Sequence, residues 1–321
     1  PVAQRVLESN PLLEAFGNAK TVRNDNSSRF GKYIQLQFDM GSAGDRQFRS
    51  REKATCVLAG SKADAYLLEK NRVTAHEPAE RTYHIFYQII AARDKTTYWS
   101  KLAGATNESF RFVGTAPTDT IEKVKDVDHF VNTVKVLGEI GVTGDKLMTL
   151  MQAVCIVLQL GNVTYQPKGG DDDKSEVAST KEFADLCDLM GVDPTTLEIS
   201  FTERTMKTRN ETYKVPLNPS TAKEATESFA KEVYARAFLW LVRNINDATA
   251  AELNYKSGTM TEFGIIGLLD IFGFESFVRN RFEQLCINYC NEKLQAKFTE
   301  DIFRSVQKEY EAEGIPLDEI T

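Results

Sequence analysis

The chain has 321 residues, 42% apolar and 26% charged, with a net charge of −7. That is the composition of a folded globular chain with a real core, long enough for about two domains or one elaborate one. The acidic balance argues against nucleic acid as a partner, no apolar run approaches the roughly 18 residues of a transmembrane segment, and no secretory signal opens the chain.

Residues 2–16 read as a helix, with a break at Asn10-Pro11 and a stop at Gly17. The Asn/Ser-rich stretch 24–28 is a loop by composition. Ile34, Leu36 and Phe38 then alternate with Tyr33, Gln35 and Gln37, the period of a strand. A turn at 40–45 leads to a returning strand over 47–58, which makes a hairpin. From about 59 to 262 the chain reads as mainly helical and without repeats, with helices over 82–92, 127–138, 146–160 and 181–190. A long helix over 219–247 carries Phe229, Val233, Ala237, Trp240 and Leu241 at helical spacing. Gly169-Gly170-Asp171-Asp172-Asp173 reads as a solvated loop, and its carboxylates lack the spacing of a calcium loop. Residues 264–271 form a buried strand by their continuous apolar character. An amphipathic helix over 280–311 closes the pattern, with Phe282, Leu285, Tyr289, Leu294, Phe298 and Ile302 along it. The architecture is therefore α/β with a large helical insertion, divided as 1–58, 59–262 and 263–321.

The five cysteines, Cys56, Cys155, Cys187, Cys286 and Cys290, show no C-x-x-C spacing, which suggests reduced thiols in a cytoplasmic protein. Cys286 and Cys290, four apart on a helix, read as small core residues sharing one face. His76, His84 and His129 have no ligand spacing and read as structural.

Two segments carry chemistry. Residues 24–32 (NDNSSRFGK) supply two adjacent hydroxyls and a guanidinium, and residues 270–275 (DIFGFE) supply a carboxylate at a strand end and a Gly two residues beyond Ile271. An Asp in that place holds Mg2+ in nucleotide hydrolases, although D-x-x-G also ends strands as a simple turn. A Gly lets a backbone N–H approach a phosphate. Ser27 and Ser28 could be turn formers or a metal-ligand hydroxyl beside a phosphate-facing one. Arg29 could act on phosphate or pair with a carboxylate, Glu275 being the obvious candidate. No G-x-x-x-x-G-K-[ST] occurs in the chain, so the loop that cradles the remaining phosphates is not in it. With a start at Pro1 and no initiator Met, the chain reads as a piece of something larger.

The chain resembles the central part of a myosin motor domain. Residues 24–32 resemble that family's switch I and residues 270–275 its switch II. Residues 11–20 (PLLEAFGNAK), 67–73 (LLEKNRV), 80–88 (ERTYHIFYQ), 160–163 (LGNV) and 282–295 (FEQLCINYCNEKLQ) resemble family segments in the same order. The resemblance implies a partial P-loop NTPase-type motor core with a few central-sheet strands, an upper actin-binding insertion, and a relay helix after residue 277. It implies ATP and Mg2+ as ligands, with Ser28 on the metal and Asp270 behind it. Asn24 and Ser27 would contact phosphates, Gly273 N–H would bind the γ-phosphate, and Arg29 and Glu275 would form the bridge that closes the pocket. Residues 33–58 would belong to the transducer.

The stretch 203–214 (ERTMKTRNETYK) reads as a solvated basic hairpin; in the family it resembles the loop that meets the actin filament. Arg204, Lys207, Arg209, Glu211 and Lys214 are its candidate contacts, and Glu211 falls where the family is acidic or phosphorylatable. The family's Asp-Ala-Leu-Ala-Lys is replaced by Glu227-Ser228-Phe229-Ala230-Lys231, and Val278, Arg279, Arg281 and Leu317 also depart from it. The implied protein is an actin-activated ATPase of the cytoplasm and cytoskeleton. Its converter, lever and light-chain-bearing neck are not in this chain, and the piece alone would be inactive without the P-loop. A kinesin-type microtubule motor shares Ser-Ser-Arg, but Phe30-Gly31 and the long insertion go against it. A non-enzymatic actin-binding scaffold derived from a motor is the other alternative.

Overall fold

The computed structural model describes residues 2–39, 57–207, 211–251, 264–276 and 280–314. The turn at 40–45, the start of the returning strand, Cys56, Arg209, Val278, Arg279 and Leu317 lie outside them. Helices and strands mix as an α/β chain, in two compact units, residues 1–269 and 270–321.

The first unit is organised around the 31-residue helix Pro219–Thr249. Its start is set by chemistry local to the sequence. Asn218 caps it, accepting from Thr221 N–H at 2.8 Å, and Pro219 needs no N–H partner at the first helical position. The buried face is Ala230, Tyr234, Phe238, Leu241 and Ile245, rotated from the expected stripe, and Phe229 is left 37% exposed, edge-on to Phe201. Small alanines and an aromatic with a polar end hid this face from a count of large apolar residues. Tyr234 stacks on Tyr83 with ring centroids 4.8 Å apart, and its hydroxyl donates to the Phe16 carbonyl at 2.7 Å.

The helix Val2–Gly17 runs unbroken through Pro11. The bond lost for want of a Pro N–H is outweighed by burying Leu12, Leu13, Ala15 and Phe16, each side chain stabilising by about 1.5–3 kcal/mol for the larger ones. It ends against an aromatic. A Cβ added to Gly17 would lie 2.3 Å from the Phe30 ring, and that ring packs edge-on to Phe238 at 5.0 Å.

The strands Gly31–Asp39 and Val57–Tyr66 pair antiparallel, Gly31 opposite Tyr66, with an irregularity between Gln37 and Phe38. The returning strand thus extends to Tyr66, where a helical stretch was expected. The strand Gly264–Asp270 joins the other edge of Gly31–Asp39. Contrary to the expectation of burial, Ile265, Ile266, Leu268 and Leu269 are about half exposed, 49–58%. The continuous apolar run identified a strand made to be covered, and among the described residues it is left half exposed. Asn246 ties the central helix to the sheet, accepting from Ala63 N–H at 2.7 Å and donating to Ala63 C=O at 2.8 Å.

The helices His84–Ala91, Asp126–Glu139, Gly144–Leu160 and Thr180–Met190 fall where periodicity put them. Residues 171–173 do not form a loop; they begin the strand Asp171–Val177, paired with Tyr165–Lys168. Gly169 and Gly170, both at positive φ, make the two-residue turn that such a hairpin requires. Burial raises the Cys155 thiol to about 12, so it is an inert core group.

In the second unit the helix Phe282–Glu313 is long and capped by left-handed Gly314. Its first turns gain partners from the preceding segment. Asn288 donates to Glu275 C=O at 2.7 Å and accepts from Glu275 N–H at 2.8 Å, and Asn291 donates to Phe272 C=O at 2.7 Å. Ile287 is buried, whereas Phe282, Leu285, Tyr289, Phe298 and Ile302 of the expected stripe remain exposed. Cys286 and Cys290 are half-buried.

Candidate functional site, a buried guanidinium beneath a serine loop

Residues 20–26 form a loop closed at its base by a short antiparallel ribbon, Asn18 opposite Ser28 and Ala19 opposite Ser27. Ser27 and Ser28 therefore sit in extended backbone, a difference from the loop expected through residue 28. The loop is stiffened internally. Thr21 N–H donates to Asn24 C=O at 2.8 Å, the Asn24 side-chain oxygen accepts from Asn26 N–H at 2.9 Å, and Lys20 pairs with Asp25. Asn24 thus acts as a turn former.

Asn26 anchors the loop to the core. Its amide oxygen accepts from Asn18 Nδ2 at 3.0 Å and from His84 Nε2 at 3.1 Å, and its amide nitrogen donates to Glu14 at 3.2 Å. This assigns the proton of His84 to Nε2. Burial, followed by the neighbouring Arg81 and His129, lowers the His84 pKa well below its ordinary value, so the ring is neutral. A cavity of about 30 Å³ beside it is lined by Glu14, Asn26, His84, Gln88, Asp126 and His129. His84 is thus held by the fold through Asn26, and His129 Nε2 lies 3.3 Å from the Ile121 carbonyl.

Arg29 lies beneath the two serines and is 1% exposed. Its Nε donates to Glu69 Oε2 at 2.7 Å and its Nη1 to Ser27 Oγ at 3.3 Å. Its backbone is fixed as well, N–H to Gly17 C=O at 2.8 Å and C=O from Glu69 N–H at 2.9 Å. Glu69 Oε2 also accepts from Arg72 Nε at 2.7 Å, and Arg72 Nη1 donates to Glu80 at 3.0 Å. Glu80 in turn accepts from Val22 N–H at 3.2 Å, which returns the network to the loop. Burial alone would raise the Glu69 carboxyl, but Arg72 and Arg29 outweigh it and hold the pKa below its ordinary value. A charge-assisted network of this kind fixes orientation as much as it stabilises. Glu69, Arg72, Glu80 and Asn26 were not among the expected site residues. The only sequence signal was the i, i+3 spacing of Glu69 and Arg72 inside a resembling segment.

Ser28 donates its hydroxyl proton to Phe30 C=O at 2.8 Å, which fixes the Oγ while its lone pairs stay suited to a hard cation. Among the described residues no cluster of three His, Cys, Asp or Glu could hold a metal. A Mg2+ site of one or two protein oxygens completed by phosphates and water needs no such cluster, and the Ser28 hydroxyl is an oxygen donor of the kind that chemistry uses.

Asp270, Gly273 and Glu275 belong to the second unit. Asp270 ends the strand Gly264–Asp270. A Cβ added to Gly273 would meet nothing within 4 Å, so the fold itself does not demand glycine there. Glu275 accepts from Gln284 Nε2 at 3.3 Å through its carboxylate, and its backbone is clamped by Asn288.

The hairpin expected over 203–214 forms, Glu203–Lys207 with Thr212–Pro216, two residues longer than expected. Arg204, Lys207, Glu211 and Lys214 are exposed, and Lys214 lies 3.7 Å from Glu203. Register puts Met206 opposite Tyr213, each about half exposed. This apolar pair was not among the expected contacts, although strand alternation could have revealed it.

Comparison with known proteins shows the family of the chain. A family model described as "Myosin head (motor domain)" matches residues 1–321. The chain is 40% identical to mouse unconventional myosin-Ic over 314 residues, 98% of this chain and 28% of that protein. It is 39% identical to Myosin-52 of Schizosaccharomyces pombe, covering 98% of this chain and 20% of the relative. With Myosin-7 of Arabidopsis thaliana the identity is 38%, over 98% and 17% respectively. The chain thus spans less than a third of the length of these relatives, and among its described residues no helix is long and apolar enough to cross a membrane. By a match across its whole length, and by identity to relatives as distant as mouse, yeast and plant, the chain belongs to the myosin motor-domain family.

Proposed function

We propose that this chain is the central part of an actin-activated ATPase motor, and that it supplies the γ-phosphate side of the nucleotide site. It would be the part of a P-loop NTPase-type core that carries the two switches, an upper actin-binding insertion over 59–262 and the relay helix. The observation that carries the reading is Arg29, a guanidinium at 1% exposure held directly under Ser27 in a chain of the myosin head family. Burying such a charge is costly unless it is paired, and here it is retained beside the serine loop.

Bound Mg2+ would neutralise phosphate charge. Ser28 would hold it by its oriented Oγ, with Asp270 behind. Ser27 would accept from Arg29 and so present its own hydroxyl to the attacking water, while the anchored Asn24 would contact phosphate. Gly273, where no contact requires glycine, gives its N–H room to approach the γ-phosphate. Arg29 and Glu275 would pair in the closed motor and exclude bulk water, the condition for hydrolysis. Breaking a buried pair costs about 3–5 kcal/mol, a loss on the order of 10²–10³-fold in rate. The exposed hairpin with Arg204, Lys207, Glu211 and Lys214, together with Arg209, would meet the actin filament, within a cytoplasmic, cytoskeletal motor whose neck carries light chains.

The test is ATP turnover with and without actin. The complete parent motor should hydrolyse ATP and be activated by filaments, and the 321-residue chain, which contains no P-loop motif, should not. A parent motor that neither hydrolyses ATP nor responds to actin would overturn the reading.

A further inference from the structure

We propose that Glu69 is a positioning residue for the hydrolytic step, setting the Arg29 guanidinium before any nucleotide arrives. The proposal rests on the role given to Arg29 above.

Glu69 grips Arg29 twice, by its N–H on the Arg29 carbonyl at 2.9 Å and by its carboxylate on Arg29 Nε at 2.7 Å. A residue that merely balanced charge would need only the second contact. Two further groups fix Glu69. Tyr83 Oη donates to the Glu69 carbonyl at 2.8 Å, and Arg72 Nε shares the same carboxylate oxygen as Arg29 at 2.7 Å. Tyr83 is itself fully buried and stacked on Tyr234, so the clamp is built on the central helix.

The approach of Glu69 is made by a strained turn. Leu67 has φ +55°, a region that residues with a Cβ rarely occupy, and it is 56% exposed. Its side chain gains little there to offset the strain. What the turn does is end the strand Val57–Tyr66 and swing Glu69 onto Arg29. Strain retained next to a proposed reaction centre points to a requirement for placement.

Positioning and structural support separate experimentally in the complete motor. Binding of a fluorescent ATP analogue reports the nucleotide site, and phosphate formation in a single turnover reports hydrolysis per active site. Glu69→Gln keeps the shape and removes the charge. It should bind nucleotide as the wild type does and slow phosphate formation roughly 10- to 100-fold, the range expected for loss of a charge-assisted contact. Tyr83→Phe, which keeps the stacked ring, should slow it severalfold. A purely structural role would reduce the active fraction and leave the rate per site unchanged, and that result overturns the proposal. Should Glu69→Gln fail to fold, Tyr83→Phe decides, and hydrolysis at the wild-type rate counts against the clamp. Arg29→Ala is the control. If it hydrolyses normally, the role given to Arg29 is wrong; if it is slow while Glu69→Gln and Tyr83→Phe are not, only the clamp is wrong.

Discussion

Arg72 is the residue whose loss the network should tolerate least. It is 5% exposed, donating to Glu69 at 2.7 Å, to Glu80 at 3.0 Å and to the Arg81 carbonyl at 3.2 Å. Arg72→Met keeps most of the stem volume and removes the charge, so the cost is electrostatic. Glu69 retains Arg29, but among the described residues the Glu80 carboxylate, also 5% exposed, keeps only the Val22 N–H. Removing one partner of a buried pair costs about 3–5 kcal/mol, which lowers a melting temperature by on the order of 10 °C. Arg72→Met with Glu80→Gln should recover part of that loss, because a neutral amide tolerates burial better. The pH dependence supplies a second check. In the wild type, burial pushes the Glu69 pKa up and Arg72 and Arg29 bring it below its ordinary 4.5. Its stabilising contribution is therefore present above about pH 4.5 and lost as pH falls through the lower folded value. Without Arg72 the depression weakens or reverses, so the stability gap between variant and wild type should narrow in acid. Denaturant unfolding of the motor at pH 7 and below pH 4.5 measures both effects. A cost under about 1 kcal/mol, or a double variant no better than the single, would refute the reasoning.

Arg29→Glu and Glu275→Arg should each abolish hydrolysis in the complete motor, and the double reversal should recover part of it; equal inactivity of all three in a phosphate-release assay would mean pairing is not what matters. Glu211→Ala should weaken activation by actin filaments, since the negative charge at this position is built in and needs no kinase; normal activation in steady-state turnover counts against that. Gly17→Ala should cost about 1–3 kcal/mol by forcing the Phe30 ring aside, as read from thermal unfolding. His84→Gln should flatten the acid side of the stability curve. The wild-type ring stays neutral when folded and takes a proton when unfolded, so stability is lost as pH falls below about 6.5, by up to roughly 1.4 kcal/mol per pH unit; an unchanged slope between pH 7 and 5 would show that His84 is not responsible.

What the sequence made legible divides along a physical line. Helices with one-sided periodicity, such as Gly144–Leu160, and the hairpin at 203–216 were readable because local pattern and burial agree there. The helix Val2–Gly17 was misread at Pro11 because local propensity counts a lost hydrogen bond and cannot count Leu12 and Phe16 reaching the core. Residues 171–173 were misread because three carboxylates look solvated, although a strand edge carries exposed charge without difficulty. The strand Gly264–Asp270 was recognised but its exposure was not, since an apolar run states what a strand is suited to contact and not whether the described residues supply those contacts.

The site divides in the same way. Ser27, Ser28 and Arg29 were named as candidates because residue type and adjacency suggest phosphate and metal chemistry. Glu69 and Arg72 were not, because their importance comes from a turn 40 residues after Arg29 that places a carboxylate against a guanidinium. The i, i+3 spacing of Glu69 to Arg72 is shared by many acidic and basic pairs on exposed surfaces, and does not by itself single it out in a chain that holds 46 acidic residues. Only burial does so. At an exposed position a carboxylate and a guanidinium 2.7 Å apart would contribute about 0–1 kcal/mol; inside the core the same pair must form, because neither charge has water to return to. A reactive arginine that must be both charged and dry therefore needs a permanent partner as well as a functional one, and the permanent partner is the residue that sequence motifs leave out.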